Sequence, residues 1–287
     1  MASSTPAASD GGHDIHPADN SELFRPMFSH SDIQRIKAET FVERVESHSE
    51  LPSTNDHAIQ LARELSSLAV CTLILAEKQT AGRGRGKNTW WSEAGALTFS
   101  LLMDGKKLAL PVSRWPLLSL TTGLAVCGAI DDQLAEKNTQ LKWPNDVYLQ
   151  GRKVCGILVE SADSRKGTVV VGLGINVNNS MRNAPTPLPH NAIALCDVAE
   201  RPLVLIDLLI DVLQHLAVCF KSLGTGEINL RKDWRERCLL TGCAIRVDQG
   251  NDFLEGTCLG IDQEGALLVE TNAGRRRCLS GVVTKLE

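Results

Sequence analysis

In the stretch AGRGRGKNTWW, residues 81–91, Arg83 and Arg85 alternate with Gly82, Gly84 and Gly86, and Trp90 and Trp91 follow. Arginine offers permanently charged, forked donors that match phosphate or carboxylate. Glycine lets backbone amides come close to such an anion, and it leaves an unliganded loop mobile. A tryptophan adds an apolar or stacking wall. Apolar runs flank the stretch, VCTLILAEKQ before it and GALTFSLLM after it. The residues therefore fit a clamp for an anionic ligand, a plain solvated hairpin, or a fragment that binds nucleic acid.

A second concentration of chemistry lies in QLKWPNDVYLQGRKVCGILVES, residues 140–161. Trp143-Pro144-Asn145-Asp146 has the composition of a tight turn. Lys142 and Lys153 flank it beside apolar strands, and a lysine there needs an anion nearby. An ion pair between Lys142 and Asp146 that staples the turn would satisfy this, and so would an anionic ligand. Further along, the GLG of VVVGLGINVN lacks the third glycine of a dinucleotide fingerprint. In PSTND, Ser53 or Thr54 reads as a helix cap.

These groups need elements to hold them. SHSDIQRIKAE reads as a short helix capped by Ser31, and FVERVES alternates as a half-buried strand does. PSTNDHAIQLARELSSL carries apolar residues on one helical face. Strands follow at 70–77 and 97–103, then a long buried helix over PVSRWPLLSLTTGLAVCGAIDDQL. Short strands are expected at TQLKW, NDVYLQ, RKVCGILVES and GTVVVGLGINV, and MRNAPTPLPHNAIAL is a proline-rich loop. PLVLIDLLIDVLQHLAVCFKSL is a helix ended by Gly224, with EINLRKDWRERC a second one. From about residue 240 short strands and turns such as DQGND and IDQEG fit a small antiparallel barrel.

With 287 residues the chain has room for one large domain and a small one. Its net charge of −4 argues against a general nucleic-acid binder, so the GRGRG cations are a local feature. Nine cysteines form no C-x-x-C pair, which points to reduced thiols and a cytoplasmic setting. The seven histidines show no metal-ligand spacing beside them, and no metal site is expected from the protein side chains. The polar start MASSTPAASDGGHDIHPADN lacks a signal-peptide core and transit-peptide arginines, so residues 1–28 read as a disordered leader. No apolar stretch has membrane-spanning length.

Taken in order, PSTND, AEKQTAGRGRGKNTWWS, KWPNDVYLQGRKVCGILVES and VVVGLGINVN resemble the biotin protein ligases, also called biotin–acetyl-CoA-carboxylase ligases or holocarboxylase synthetases. The resemblance covers roughly residues 40–287 and extends to EGTCLGIDQEGALLVE in the small C-terminal module. It implies an α+β fold: a mixed sheet flanked by helices, like a class II aminoacyl-tRNA synthetase, over 29–236, and an SH3-like β-barrel over 237–287. It implies an ATP-dependent ligase that makes biotinyl-5′-AMP and passes biotin to a lysine of a biotin carboxyl carrier domain.

By the family's motifs, Ser53, Thr54, Asn55 and Gln79 would meet the biotin ring. Arg83, Gly84 and Arg85 would close over biotin and phosphate. Lys153 would bridge the biotin carboxylate and the α-phosphate. Lys142, Asn145, Asp146, Trp90 and Asn176 would hold the nucleotide, Asp146 through Mg2+. The stretch before the match is too short for the DNA-binding domain of some relatives, so no DNA partner is expected; a homodimer is compatible with the sequence. A lipoate or octanoate ligase or transferase of the same superfamily is the nearest alternative, and an RNA-binding module a more distant one.

Overall fold

The computed structural model describes residues 27–65, 70–134, 138–163, 167–184 and 192–286, together with Met1. The expected leader lies outside the described residues up to position 26, as does the proline-rich loop over 185–191. The large domain runs α1 (His30–Glu39), β1 (Arg44–Leu51), α2 (Thr54–Glu64), β2 (Thr72–Gln79), β3 (Leu97–Asp104), α3 (Pro116–Gln133), β4 (Thr139–Lys142), β5 (Asp146–Leu149), β6 (Arg152–Asp163) and β7 (Thr168–Ile175), then α4 (Leu195–Ala199), α5 (Leu205–Thr225) and α6 (Leu230–Arg237). Its sheet has the order β1-β2-β3-β7-β6-β5-β4, with β1 and β2 parallel and the other neighbours antiparallel.

Period-two alternation gives the two faces of this sheet different characters. On one face Leu97, Phe99 and Leu101 of β3 join Val169, Val171 and Leu173 of β7 in the main core, with α3 and α5 packed there. Along α5, Leu209, Val212, Leu213, Leu216 and Phe220 recur at helical spacing and are buried, each contributing about 1.5–3 kcal/mol. On the other face α2 covers only part of the sheet, through Ala58 and Ala62 against Ile74, Leu102 and Val170. The rest of that face is open. No described helix is long and apolar enough to cross a membrane.

Two helix ends differ from the sequence reading. The cap of α1 is Ser29, because Asp32 sits at the third helical position and closes a reciprocal capping box with it. Helix α5 runs through Gly224 to end at Gly226, which takes the left-handed conformation at φ 75°. Gly224 instead lets the helix approach the Leu108 carbonyl.

The C-terminal module comprises β8 (Ala244–Gln249), β9 (Asp252–Ile261), β10 (Leu267–Thr271), β11 (Gly274–Cys278) and β12 (Val282–Lys285), paired antiparallel in the order β11-β10-β9-β8-β12. It docks on the large domain at the β4–β5 turn. The Trp143 indole N–H donates to the Gly265 carbonyl at 3.0 Å, and the Leu239 amide donates to Leu141 at 2.9 Å. Gly265 is at φ +79°, and a Cβ there would stand 2.6 Å from Leu120 and 2.7 Å from Leu117 of α3. Gly265→Ala is therefore expected to destabilise the protein by about 1–3 kcal/mol through strain and overpacking. A urea-unfolding midpoint equal to wild type would refute this account of the docking.

Candidate active site

The open face of the sheet carries little or no side chain at its centre, on Gly156, Gly172 and Gly174. In register across five strands lie Thr98, Gly174, Gly156, Asp146 and Lys142. A second row holds Ser100, Gly172 and Leu158. A Cβ on Gly172 would stand 2.0 Å from Asn55 Oδ1, and one on Gly174 would stand 2.2 Å from the Trp90 indole. Both side chains lie flat on the backbone of β7. They form part of the lining of one cavity of about 930 Å³.

At one end of this cavity is a neutral polar pocket. Ser53, Thr54 and Asn55, at the start of α2, are buried. Ser53 caps the helix, accepting from the Asp56 amide. Gln79 Oε1 accepts from the Thr54 amide at 2.7 Å and from its hydroxyl at 3.2 Å. The Ser100 hydroxyl lies 2.8 Å from Thr54 Oγ1 and 2.6 Å from Asn55 Oδ1. Asn55 Nδ2 donates to Glu160 at 2.8 Å, and Arg83 grips the same carboxylate with both nitrogens of its fork, at 3.0 and 2.7 Å. Asp56 takes Arg83 from the other side at 2.7 Å. The Glu160 hydrogen bond leads the effects that raise the Arg83 pKa, so the guanidinium stays charged.

At the other end charge accumulates. Strand β6 carries a β-bulge opposite Val147 and Tyr148, with Val154 as its extra residue. The bulge reverses the alternation, so that Lys153 shares a face with Gly156 although both Val154 and Cys155 are in the core. Lys153 Nζ reaches Asp146 Oδ1 at 2.6 Å. The carboxylate thus pairs with Lys153, whereas Lys142, opposite it on β4, lies over the Tyr148 ring at 5.6 Å. Burial lowers the Lys142 pKa against the attraction of Asp146, with a smaller contribution from repulsion by Lys153. Asn145 donates its amide to the Ile157 carbonyl at 2.9 Å and so fixes the start of β5. With Arg83 held by two acids, Arg85, Lys142 and Lys153 face the cavity with Asp146 as their neighbouring carboxylate.

The GRGRG segment is a hairpin folded over this cleft. Gly84 N donates to Asn88 O and Trp90 N to Gly82 O, both at 2.8 Å. Arg85 Nη1 donates to the Gly281 carbonyl of the C-terminal module at 2.7 Å. Trp90 packs on Gly156 and Gly174, 5.9 Å from the Lys153 ammonium, and its buried indole N–H meets no acceptor among the described residues. Asp248, Gln249 and Gly250, with Ser280 to Val283, complete the wall. The structure brings twelve of the thirteen expected residues to this cleft. Asn176 is the one it does not: its buried side chain accepts from Asn179 at 3.1 Å and is not part of the lining.

Residues 49–178 match the model of the biotin/lipoate A/B protein ligase family, and residues 242–286 match that of the biotin protein ligase C terminal domain. A bifunctional ligase/repressor BirA of Bacillus subtilis is 34% identical over 85% of this chain and 75% of its own. A biotin–[acetyl-CoA-carboxylase] ligase of Paracoccus denitrificans is 33% identical, covering 78% and 93%. The chain belongs to the biotin protein ligase family. Among solved structures, the biotin protein ligase of Aquifex aeolicus in complex with biotin and ATP superposes with a TM-score of 0.71 at 28% identity, covering 85% of this chain and all of that one.

Within this ligase fold, sequence reasoning missed Glu160, Ser100, Gly172 and the C-terminal wall. One signal was available: β3 and β7 place Thr98, Ser100, Gly172 and Gly174 on one face while the other face is uniformly large and apolar. A solvated or purely packed sheet face has no need of that pattern. Gly172→Ala is expected to push Asn55 off the sheet and destabilise the ligase by about 1–3 kcal/mol. Wild-type stability of that variant in urea would show that Asn55 is not wedged as described.

Proposed function

We propose that this ligase activates biotin with ATP and transfers it to a lysine of a biotin carboxyl carrier domain. The carrying observation is a single cleft that joins a neutral donor–acceptor pocket to a cluster of cations on one sheet face. The ureido group of biotin has both donors and acceptors, which suits Ser53, Thr54, Asn55 and Gln79. Its carboxylate then points along the glycine floor toward Lys153. The match of residues 242–286 to the C terminal domain of biotin protein ligases favours biotin over lipoate.

In the first step a biotin carboxylate oxygen attacks the α-phosphorus of ATP, the bond to the β-phosphate bridge breaks, and pyrophosphate leaves. Two anions must meet, and Lys153 is the cation between them; in the free protein Asp146 holds that ammonium in position. Lys142 and Arg85 add positive potential for the phosphates. Among the described residues, the carboxylates lining the cavity are Asp146 and Asp248, which form no all-protein cage for Mg2+. Asp146 could supply one oxygen to a magnesium ion otherwise held by phosphate and water, neutralising phosphate charge. The Trp90 indole, with its unpaired N–H, offers a wall and a donor to the nucleotide.

In the second step a carrier lysine amine attacks the acyl carbon of biotinyl-5′-AMP, loses a proton, and AMP leaves. Water must not reach that carbon first. The hairpin over residues 81–91, pinned by Arg85 to Gly281, is the cover. Arg83 serves it indirectly, by locking Glu160 of β6 to Asn55 and Asp56 at the start of α2.

Incubation with biotin, MgATP and a carrier domain should add one biotin per carrier, read by mass; lipoate in place of biotin should add nothing. Transfer of lipoate but not biotin would overturn the substrate assignment. Lys153→Ala is expected to lower biotin-dependent pyrophosphate release by about 10²–10³-fold, the loss typical of removing one electrostatic stabiliser. Release at the wild-type rate would remove Lys153 from the first step. Arg85→Gly should still make the adenylate but release it about ten- to a hundred-fold faster, since a charge-assisted hydrogen bond contributes about 1.5–3 kcal/mol. The released acylating agent should label lysines of a bystander protein, and bystander labelling no greater than wild type would refute the cover.

A further inference from the structure

Away from the cleft, on the outer edge of the sheet, two histidines and a glutamate converge. Glu46 and His48 are two residues apart on β1, so they share a face, and their partners Ile74 and Ala76 place that face under α2. His57 descends onto it from the first turn of α2. His57 Nε2 lies 2.9 Å from Glu46 Oε2, His48 Nε2 lies 3.7 Å from the same oxygen, and all three atoms fall within 4.8 Å of one another. The imidazole rings are 4.9 Å apart and inclined at 63°.

A hydrogen bond between His57 and Glu46 accounts for two of these side chains but not the third. His48 Nε2 is buried and has no hydrogen-bond partner among the described residues. A divalent ion at zinc–ligand bond lengths of about 2.0–2.2 Å in tetrahedral geometry needs ligand atoms roughly 3.3–3.5 Å apart. The separations of 2.9 and 3.7 Å to Glu46 bracket that value, and the two imidazole nitrogens, which lie within 4.8 Å of one another, would settle to it by side-chain rotation. Arg44 donates to the other carboxylate oxygen, Oε1, at 2.6 Å, which orients Glu46 and leaves Oε2 for the ion. The three residues are only partly covered, at 18–32% exposure, which leaves room for a water as fourth ligand.

We propose that Glu46, His48 and His57 bind one divalent transition-metal ion of the zinc class. Two imidazoles and one carboxylate suit zinc or cobalt and not magnesium, which prefers oxygen ligands. The ion would tie the edge strand to the first turn of α2. That turn also carries Asp56, the residue that holds Arg83 at 2.7 Å, and the pocket residues before it.

The test uses the full chain, stripped with EDTA and titrated with Co2+, with Mg2+ as a separate arm. The nine thiols would announce themselves by sulfur-to-cobalt charge transfer, so the reading is the d–d absorption without that band. We expect one equivalent of such nitrogen- and oxygen-ligated Co2+, displaced by Zn2+ and untouched by Mg2+. His48→Gln, which removes an Nε2 without a hydrogen-bond partner among the described residues, should weaken it at least ten-fold at an unchanged metal-free melting temperature, and His57→Gln should do the same to the absorption. Zn2+ should raise the melting temperature of wild type and not of His48→Gln. Cobalt bound only through thiolate, or bound equally by wild type and both variants, would overturn the proposal.

Discussion

The arrangement of this molecule depends on two glycines of one strand. Gly172 and Gly174 lie two apart on β7, and the neighbouring strands meet them with Ser100, Thr98 and Gly156. This clears a strip of bare backbone through the middle of the sheet. Asn55 and Trp90 occupy it at distances that any Cβ would forbid. Because the strip is bare, the first turn of α2 can reach the sheet with its polar residues, and the hairpin can close from above. The opposite face of the same strands stays large and apolar, so the cleft has a stiff floor.

The floor sets where charge can go. Polar groups gathered at the α2 end are satisfied by one another, from Gln79 and Thr54 through Ser100 and Asn55 to Glu160 and Arg83. At the far end the cations outnumber their protein partner, Asp146. A chain with a net charge of −4 therefore presents a local positive site, where an anionic ligand would gain from desolvation. The two arginines of GRGRG, two residues apart, have diverged in role. Arg83 is held by Glu160 and Asp56 and orders the pocket, whereas Arg85 reaches across to the C-terminal module.

That module is a wall of the cleft and a brace for its cationic end. Trp143 and Leu141 fasten it at the β4–β5 turn, the turn that presents Asp146, so its docking and the position of the charged row are mechanically linked. A variant that loosens the docking would disturb the site without touching any group inside it. The edge cluster of Glu46, His48 and His57 offers a corresponding brace at the opposite end, on the strand that enters α2.

Much of this was legible in the sequence, because its causes are local. Apolar periodicity, capping residues and glycine-rich turns mark the strands and helices, and the charged motifs stand out against a mildly acidic chain. The family resemblance then names Ser53 to Asn55, Gln79, Arg83, Arg85 and Lys153, and the structure gathers these in one cleft. Other features depend on pairing between distant segments. Strict alternation would put Lys153 on the core side with Cys155; the bulge at Val154, visible only in the pairing of β5 with β6, turns it into the cleft. The sequence suggested Lys142 as the ion-pair partner of Asp146; the pairing of β5 with β6 instead brings Lys153 to that carboxylate. Glu160 gains its meaning from Arg83, 77 positions away, and His48 from His57 on another element. Asn176, adjacent in sequence to the glycine strip, is carried past it once β7 ends. The sequence by itself determined which chemistry is present; the register between strands decided which of those groups face one another, because a shift of one residue moves a side chain to the other side of a sheet.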